Sequence, residues 1–257
     1  MFTYQEIESL NELELEVYKY IVKNYDSVKV ATIREIARHT HVSTTTILRF
    51  CRKMGCEGFN EFKYKLRDHM NSTKKDYNFS TDDFAIQDFL IRTKEPLFLQ
   101  KIYDASQLIV NSKQIIFLGI GTSGILAKYA SHCFMNAGRF SQYIDYPYFE
   151  VPDGFFDGTV IIVFSVSGET VDVINQLHQF RKFNCAVITI TNAEYSTIAK
   201  ISDMVINYNL PMNIKGKSKI NFTSQIPVIY IIEKLVYNIS QFFKQTRTIS
   251  KYIYEIL

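Results

Sequence analysis

Two short segments of the chain combine hydroxyl side chains with glycine, a pairing that can bind phosphate. The first is Gly119-Ile-Gly-Thr-Ser-Gly124, which follows an apolar run and precedes a helical pattern. The second is Ser165-Val-Ser-Gly-Glu-Thr170, which has three hydroxyl groups at the start of a predicted helix. Backbone N–H groups at a helix start attract anions, and glycine allows the backbone to approach them closely. Each segment is therefore a candidate phosphate-binding turn.

Either segment has another interpretation when it is taken alone. Residues 119–124 match the G-x-G-x-x-G turn of dinucleotide-binding folds, and Asp145 follows Gly124 by 21 residues, as the ribose-binding acid does there. Residues 165–170 also suit a capped turn in which Ser167 or Thr170 is the N-cap of the following helix. The two segments together favour a phosphate site over a dinucleotide site, because hydroxyl groups around a helix start suit a terminal phosphate.

A third group of residues, in the first part of the chain, is suited to DNA. Ser43 is a good N-cap for a helix over 44–54, and a helix predicted over 32–40 ends three residues before Ser43, as in a helix-turn-helix. Three threonines in the first turn are small enough to approach base edges, and three cations follow on the outer face for phosphates. The candidate DNA-binding residues are Ser43, Thr44, Thr45, Thr46, Arg49, Arg52 and Lys53. A helical oligomerisation module with solvated arginines is the alternative.

The charge distribution supports a polyanion partner for this part of the chain. The 257 residues have a formal net charge of +3, yet residues 30–75 carry ten Lys or Arg against four acids. Residues 1–29 are net acidic, and residues 76–257 carry sixteen charges of each sign. A basic block within an otherwise neutral protein is a footprint for nucleic acid when a motif accompanies it.

Periodicity predicts two domains of different class. Helical spacing over the first 70 residues indicates an all-α helix-turn-helix bundle. From residue 114 onward, apolar strands over 114–118, 140–144, 159–164, 186–190 and 204–207 alternate with helical segments. That alternation predicts a doubly wound, five-stranded parallel α/β sandwich, with ligands beyond the carboxyl ends of the strands. The predicted domains are 1–72 and 85–257, joined by a polar linker over 73–84 and ending in a long apolar helix over 222–243.

The first domain resembles the N-terminal domain of the RpiR/MurR family of bacterial transcriptional regulators. The resemblance rests on the run Ile33-Arg-Glu-Ile-Ala-Arg-His-Thr-His-Val-Ser-Thr-Thr-Thr-Ile-Leu-Arg-Phe-Cys-Arg-Lys-Met-Gly55 and on Glu57-Gly-Phe-Asn-Glu-Phe-Lys63. His41 stands where such turns usually have glycine, and histidine tolerates a positive φ better than most residues. The resemblance implies binding to double-stranded operator DNA.

The two phosphate-binding turns together resemble a SIS (sugar isomerase) domain, the phosphosugar-binding module of the same regulators. The resemblance implies that four hydroxyl side chains hold the phosphate, that two residues line the first turn, and that an acid supports the helix start. In that order the residues are Ser123, Ser165, Ser167 and Thr170; Gly121 and Thr122; and Glu169, with Gly168 in the second turn and Ser224 and Gln225 on the sugar side. Val166 replaces the glutamine that some phosphosugar-converting enzymes have there.

The second domain offers no clear acid/base pair for turnover. An aldose–ketose isomerase needs a base beside C1 and C2 of the sugar. His132 and His178 fall within helices, His132 as a core or interface residue, and the position of Glu169 on the phosphate turn indicates a structural role. Binding without catalysis is therefore expected.

The remaining features exclude several classes of protein. No apolar stretch reaches the ~20 residues of a membrane-spanning helix, and the N-terminus lacks the pattern of a secretory signal. The four cysteines, Cys51, Cys56, Cys133 and Cys185, lack zinc-ligand spacing and are expected to be reduced thiols, so no metal or cofactor is expected.

The sequence thus predicts a cytoplasmic transcriptional regulator of carbohydrate metabolism that senses a phosphorylated sugar or amino sugar. It is expected to act as a homodimer or homotetramer and not to bind membranes. Two alternatives stay open: a phosphosugar isomerase with an accessory helical domain, and an NAD-binding redox sensor or enzyme.

Overall fold

The structure is a computed structural model that describes residues 2–73, 81–146, 156–215 and 220–256. The chain forms two compact units, Met1–Leu99 with Leu210–Ser224, and Gln100–Asn209 with Gln225–Leu257. This division differs from the domain boundaries expected from the sequence, which stay a prediction. Residues 74–80 of the expected linker lie outside the described residues, whereas its last residues, 81–84, begin a helix.

The first unit is helical, as predicted. Its helices are α1 (Tyr4–Glu8), α2 (Glu12–Lys23), α3 (Tyr25–Val28), α4 (Ile33–Thr40), α5 (Thr44–Lys53), α6 (Phe59–Thr73) and α7 (Thr81–Arg92). Three of them begin with a capping box, in which the N-cap side chain and a glutamate three residues later satisfy each other's backbone N–H groups. The N-caps are Thr3, Asn11 and Thr32. Local sequence therefore determines where α1, α2 and α4 start.

The core of the first unit combines aromatic packing with one buried ion pair. Phe2, Phe50 and Phe62 lie with ring centroids 5.4–6.5 Å apart. Asp88 of α7 accepts hydrogen bonds from the Tyr18 hydroxyl of α2 at 2.8 Å and from Arg92 Nε at 3.0 Å. A buried charge pair is tolerated where hydrogen bonds satisfy it, so these bonds fix α7 against α2. The role of α7 in this unit was not predicted from the sequence.

The second unit contains the predicted five-stranded parallel sheet. Its strands are β1 (Gln114–Leu118), β2 (Ser141–Ile144), β3 (Thr159–Ser165), β4 (Ala186–Thr191) and β5 (Met204–Asn207), and the spatial order is β2-β1-β3-β4-β5. The helices are α8 (Pro96–Asn111), which begins in the first unit, α9 (Thr122–Asn136), α10 (Val171–Phe180), α11 (Thr197–Ile201) and α12 (Ile226–Ile256). All four strand pairs are parallel, and β1 pairs directly with β3.

Alternate residues of the central strands contact different helices, so the sheet is buried on both faces. Ile161 and Val163 of β3 pack in a cluster with Leu177 of α10 and Ile198 of α11. On the opposite face, the Phe117 ring lies 4.9 Å from that of Phe134 on α9. Strands covered on both sides have continuous apolar runs, and this is why the sequence predicts them well.

Two elements near the end of the chain differ from the sequence expectation. A short antiparallel pair, β6 (Ile214–Lys215) with β7 (Ile220–Asn221), was not predicted. The C-terminal helix was expected from residue 222, but α12 begins at Ile226. The backbone N–H of Phe222 donates to the Asn213 carbonyl, which extends the β6–β7 pairing and keeps this residue out of the helix.

Candidate functional site

The first unit contains the predicted helix-turn-helix, formed by α4, a three-residue turn and α5. His41 caps α4 in the left-handed conformation, with φ 55°, as expected for a residue at the usual glycine position. Ser43 is the N-cap of α5, and its hydroxyl oxygen accepts a hydrogen bond from the Thr46 N–H at 3.1 Å. The sequence therefore positions both ends of the turn through local backbone preferences.

Thr46 does not belong to the DNA-facing set that the sequence suggested. Its side chain is 5% exposed, and its hydroxyl lies 2.9 Å from Ser43 Oγ. It shares the buried stripe of α5 with Phe50, one helical turn later. Ser43, Thr44 and Thr45 are exposed at the start of the helix. The spacing to Phe50 was the sequence signal that could have excluded Thr46.

The three cations of α5 have different environments. Lys53 Nζ donates to the Glu14 carboxylate at 2.7 Å and to the Ser9 carbonyl at 2.5 Å. Arg49 Nε lies 3.7 Å from the same carboxylate and remains half exposed. Arg52 is exposed and forms no ion pair with any described residue. Arg52 and Arg49 are therefore the cations best placed to reach DNA.

Glu14 is a functional residue that the sequence analysis missed. Its side chain is 1% exposed on α2. Burial raises the pKa of Glu14, but hydrogen bonds from Lys53 and the Asn11 N–H, together with the charge of Arg49, outweigh burial and lower it. Its capping-box position is readable from Asn11 and Glu14, whereas its contacts with α5 depend on the packing of α2 against α5.

We expect Lys53→Ala to reduce stability rather than DNA binding. The buried Glu14 carboxylate would lose its closest donor, at a cost of about 1–3 kcal/mol in the free energy of unfolding. The low pKa of Glu14 stabilises the fold at neutral pH, and this contribution is lost as pH falls through that pKa. Without Lys53 the pKa rises, so acid unfolding should begin at higher pH. Urea denaturation at pH 7 and pH 4 measures both effects.

Lys65→Ala is the matched control for this experiment. Lys65 forms an exposed ion pair with Glu61 on α6, and exposed pairs contribute little to stability. If Lys53→Ala left stability unchanged but lowered the salt dependence of DNA binding, Lys53 would be a phosphate contact instead.

In the second unit, the sheet order brings the two phosphate-binding turns to neighbouring strands. The order β2-β1-β3-β4-β5 reverses between β1 and β3, and Leu118 of β1 pairs with Val163 of β3. Ligands of doubly wound sheets bind at such a reversal, beyond the carboxyl ends of the strands. Residues 119–124 follow β1 and residues 165–170 follow β3, so both turns lie at this point.

The glycines of the first turn are explained by close packing. A Cβ at Gly119 would lie 2.6 Å from the Ser123 backbone oxygen, and one at Gly124 would lie 2.8 Å from Asp145 Cβ. Gly121 has φ 65° with open space around it. The turn is tight because β1 and α9 are close together, so its G-x-G-x-x-G pattern does not by itself require a dinucleotide.

The helices that follow the two turns lack side-chain caps. Gly121 is the N-cap of α9 and Thr170 is the N-cap of α10, and neither helix has a side-chain capping hydrogen bond. By contrast, a side chain caps α1, α2, α4, α5 and α11. Uncapped N–H groups at a helix start are available to an anion.

The side chains of the second turn shape its backbone. The Ser165 hydroxyl accepts a hydrogen bond from the Gly168 N–H at 3.1 Å, and the Ser167 hydroxyl accepts one from the Glu169 N–H at 3.2 Å. Each serine keeps its own hydroxyl hydrogen for another acceptor. Glu169 does not support the start of its own helix, as expected, but accepts a hydrogen bond from the Thr197 N–H at 2.8 Å.

The remaining site candidates have the following positions. Thr122 is exposed at the start of α9, and Ser123 is buried beside it. Ser224 belongs to the first unit, where it lines a cavity with Ala85 and Phe222. Gln225 belongs to the second unit and directly precedes α12. The roles of these four residues stay predictions.

Groups that could carry redox, metal or acid/base chemistry are sparse in the described ranges. Burial raises the pKa of Cys51 to about 12, so its thiol stays protonated. Within residues 2–73, 81–146, 156–215 and 220–256, no group of three or more His, Cys, Asp or Glu residues is arranged to hold a metal ion. His132, expected in a core or interface, is exposed on α9, and His178 is exposed on α10. No described helix is long and apolar enough to cross a membrane.

Comparison with known proteins assigns both parts of the chain. The family model of the helix-turn-helix domain, rpiR family, matches residues 4–73, and that of the SIS domain matches residues 108–237, half of the chain. An HTH-type transcriptional regulator of Clostridium perfringens is 27% identical over 238 residues, covering 86% of this chain and 85% of that protein. The bifunctional protein glk of Burkholderia thailandensis is 26% identical over 218 residues, covering 77% of this chain but 34% of that protein.

Solved structures share the fold at low sequence identity. The NanR protein of Vibrio vulnificus, solved in complex with ManNAc-6P, aligns with a TM-score of 0.52 and 20% identity over 97% of this chain and 94% of that one. The c3406 protein of E. coli CFT073, solved in complex with arabinose 5-phosphate, aligns with a TM-score of 0.51 and 19% identity over 63% of this chain and 86% of that one. The chain belongs to the RpiR family of HTH-type transcriptional regulators, in which a helix-turn-helix domain precedes a SIS domain.

Proposed function

We propose that this protein is a DNA-binding regulator of carbohydrate metabolism whose SIS domain binds a phosphorylated sugar or amino sugar. The observation that carries the proposal is the pair of helices, α9 and α10, that begin without side-chain caps at the adjacent ends of β1 and β3. Hydroxyl groups of Ser165, Ser167 and Thr170 line the second turn. Two fold neighbours were solved with ManNAc-6P and arabinose 5-phosphate, which supports a sugar phosphate as the ligand class.

The DNA-binding half rests on the start and outer face of α5. Ser43, Thr44 and Thr45 are exposed there, and Arg49 and Arg52 follow on the accessible face. A helix-turn-helix places its second helix in the major groove, where short side chains reach base edges and cations reach phosphates. One such unit makes few contacts, so we propose that a homodimer or homotetramer binds the operator in the cytoplasm.

The sugar phosphate would act through linkage. If it binds one arrangement of the paired DNA-binding units more tightly than another, it shifts operator affinity toward that arrangement. The shift cannot exceed the difference between its affinities for the two states. The same free energy appears in reverse, so operator DNA changes the affinity for the sugar phosphate by an equal factor.

We propose that binding occurs without turnover. Isomerisation needs a base beside C1 and C2, and the carboxylate of Glu169 is engaged with the Thr197 N–H. His132 and His178 are exposed on the bodies of α9 and α10, away from the helix starts. Prolonged incubation of the protein with each sugar phosphate, followed by NMR of the sugar, should reveal no isomerised product.

The direct test is thermal stabilisation by a panel of compounds. The panel contains ManNAc-6P, arabinose 5-phosphate, glucose 6-phosphate, their unphosphorylated parents, inorganic phosphate and NAD(H). A compound at a hundred times its dissociation constant should contribute about 2.7 kcal/mol, which raises Tm by several degrees. We expect at least one sugar phosphate to stabilise the protein while its parent sugar does not.

Other outcomes would redirect the assignment. Stabilisation by NAD(H) alone would support the dinucleotide interpretation of residues 119–124. Equal stabilisation by a sugar phosphate and its parent sugar would contradict the phosphate site at the β1 and β3 ends.

A further inference from the structure

The second phosphate-binding turn is attached to the start of α11 by three contacts. The Glu169 carboxylate accepts a hydrogen bond from the Thr197 N–H at 2.8 Å. The Gly168 carbonyl accepts one from the Ile198 N–H at 3.0 Å. Ser196 occupies the space where a side chain of Gly168 would start, because a Cβ there would lie 1.9 Å from Ser196 Oγ. The turn and α11 therefore move together.

These contacts use the N–H groups that a helix start normally leaves open. Thr197 and Ile198 are the first two residues of α11, and Ser196 caps the Ala199 N–H with its own side chain. The hydrogen bond from the Thr197 N–H lowers the pKa of Glu169, so the side chain is charged at neutral pH. A fixed negative charge thus lies within a turn that is expected to bind a negative phosphate.

Two explanations of Glu169 make opposite predictions. If the carboxylate acts mainly through its charge, its removal reduces repulsion and phosphate binds more tightly. If the carboxylate acts mainly through its hydrogen bond to α11, its removal frees the turn, and phosphate must pay for ordering it. The exposed position of Glu169 favours the second explanation, because water screens its charge while the hydrogen bond stays fixed in geometry.

We propose, on the basis of the proposed function, that Glu169 is a positioning residue that fixes the 165–170 turn against α11 and so preorganises Ser167 and Thr170 for phosphate. Glu169 itself does not touch the phosphate. The fixed turn presents the Ser167 and Thr170 hydroxyls beside the uncapped start of α10, and the ordering is complete before the anion arrives. The sugar phosphate then gains affinity that a mobile turn would lose to conformational entropy.

The test compares three single variants of the full-length protein by calorimetric titration with inorganic phosphate, ManNAc-6P and arabinose 5-phosphate. Glu169→Ala removes the hydrogen bond and should weaken binding about tenfold, or 1.4 kcal/mol. Glu169→Gln keeps an acceptor oxygen without the charge and should remain within about threefold of wild type. Asp172→Ala is the matched control: it removes an exposed carboxylate in the first turn of α10 and should not weaken binding.

Hydrogen exchange separates positioning from a purely structural effect. In the wild type, saturating phosphate or sugar phosphate should slow exchange at the Thr197 and Ile198 amides, although neither residue belongs to the phosphate-binding turn. This protection should be lost in Glu169→Ala and retained in Glu169→Gln. Equal affinity of wild type and Glu169→Ala, or tighter binding by Glu169→Ala, would overturn the positioning role alone. Failure of the wild type to bind any of the three probes would instead refute the proposed function, and the inference with it.

Discussion

Replacing both Ser167 and Thr170 by alanine should lower phosphosugar affinity at least ~100-fold while leaving basal DNA binding intact. A hydrogen bond to a charged group contributes about 1.5–3 kcal/mol, and the variant removes two such donors. Thr170 is the N-cap of α10 without a capping bond, so its hydroxyl has no structural duty to lose. The Ser167 hydroxyl accepts from the Glu169 N–H, so its loss also loosens the turn.

The readout combines calorimetry with DNA retention. The double variant should neither bind the sugar phosphate that stabilises the wild type nor change its DNA retention when that compound is added. Ser240→Ala is the matched control, because Ser240 lies on α12 and its hydroxyl bonds within its own helix. A double variant that still responded to the sugar phosphate would mean that the phosphate is held elsewhere.

Replacing both Arg49 and Arg52 by alanine should greatly weaken DNA binding and flatten its dependence on salt. Each lost phosphate contact reduces the slope of log K against log salt by about 0.9, so the double variant should lose nearly 2 per DNA-binding unit. At 0.15 M salt we expect a loss of tenfold or more. Thermal stability should change little, because Arg52 is exposed and Arg49 is half exposed.

The measurement uses duplexes selected from a random pool by the wild-type protein, titrated at several salt concentrations. Lys65→Ala serves as the control, because it removes one positive charge from α6 in the same unit without altering α5. Sugar-phosphate binding should be unchanged in the double variant. Unchanged DNA affinity and slope would refute the assignment of α5 as the recognition helix.

Residues read from local pattern were assigned well where local chemistry determines their position. The helix-turn-helix follows from Thr32, His41 and Ser43, because capping and a left-handed turn depend on neighbours in the chain. The five strands follow from continuous apolar runs, which a sheet buried on both faces requires. Thr46 was misassigned because its neighbours were read for size and hydroxyl chemistry rather than for the helical phase it shares with Phe50.

What the sequence determined by itself is thus the order of elements, the two glycine-containing turns and the caps, since each depends on residues a few positions apart. The tertiary structure decided which of them meet. Pairing of β1 with β3 brings the two turns to one edge, packing of α2 against α5 sets Glu14 beside Lys53, and the start of α11 engages Glu169. These contacts join residues far apart in the chain, and their partners are selected by strand order and helix packing, which no local pattern encodes.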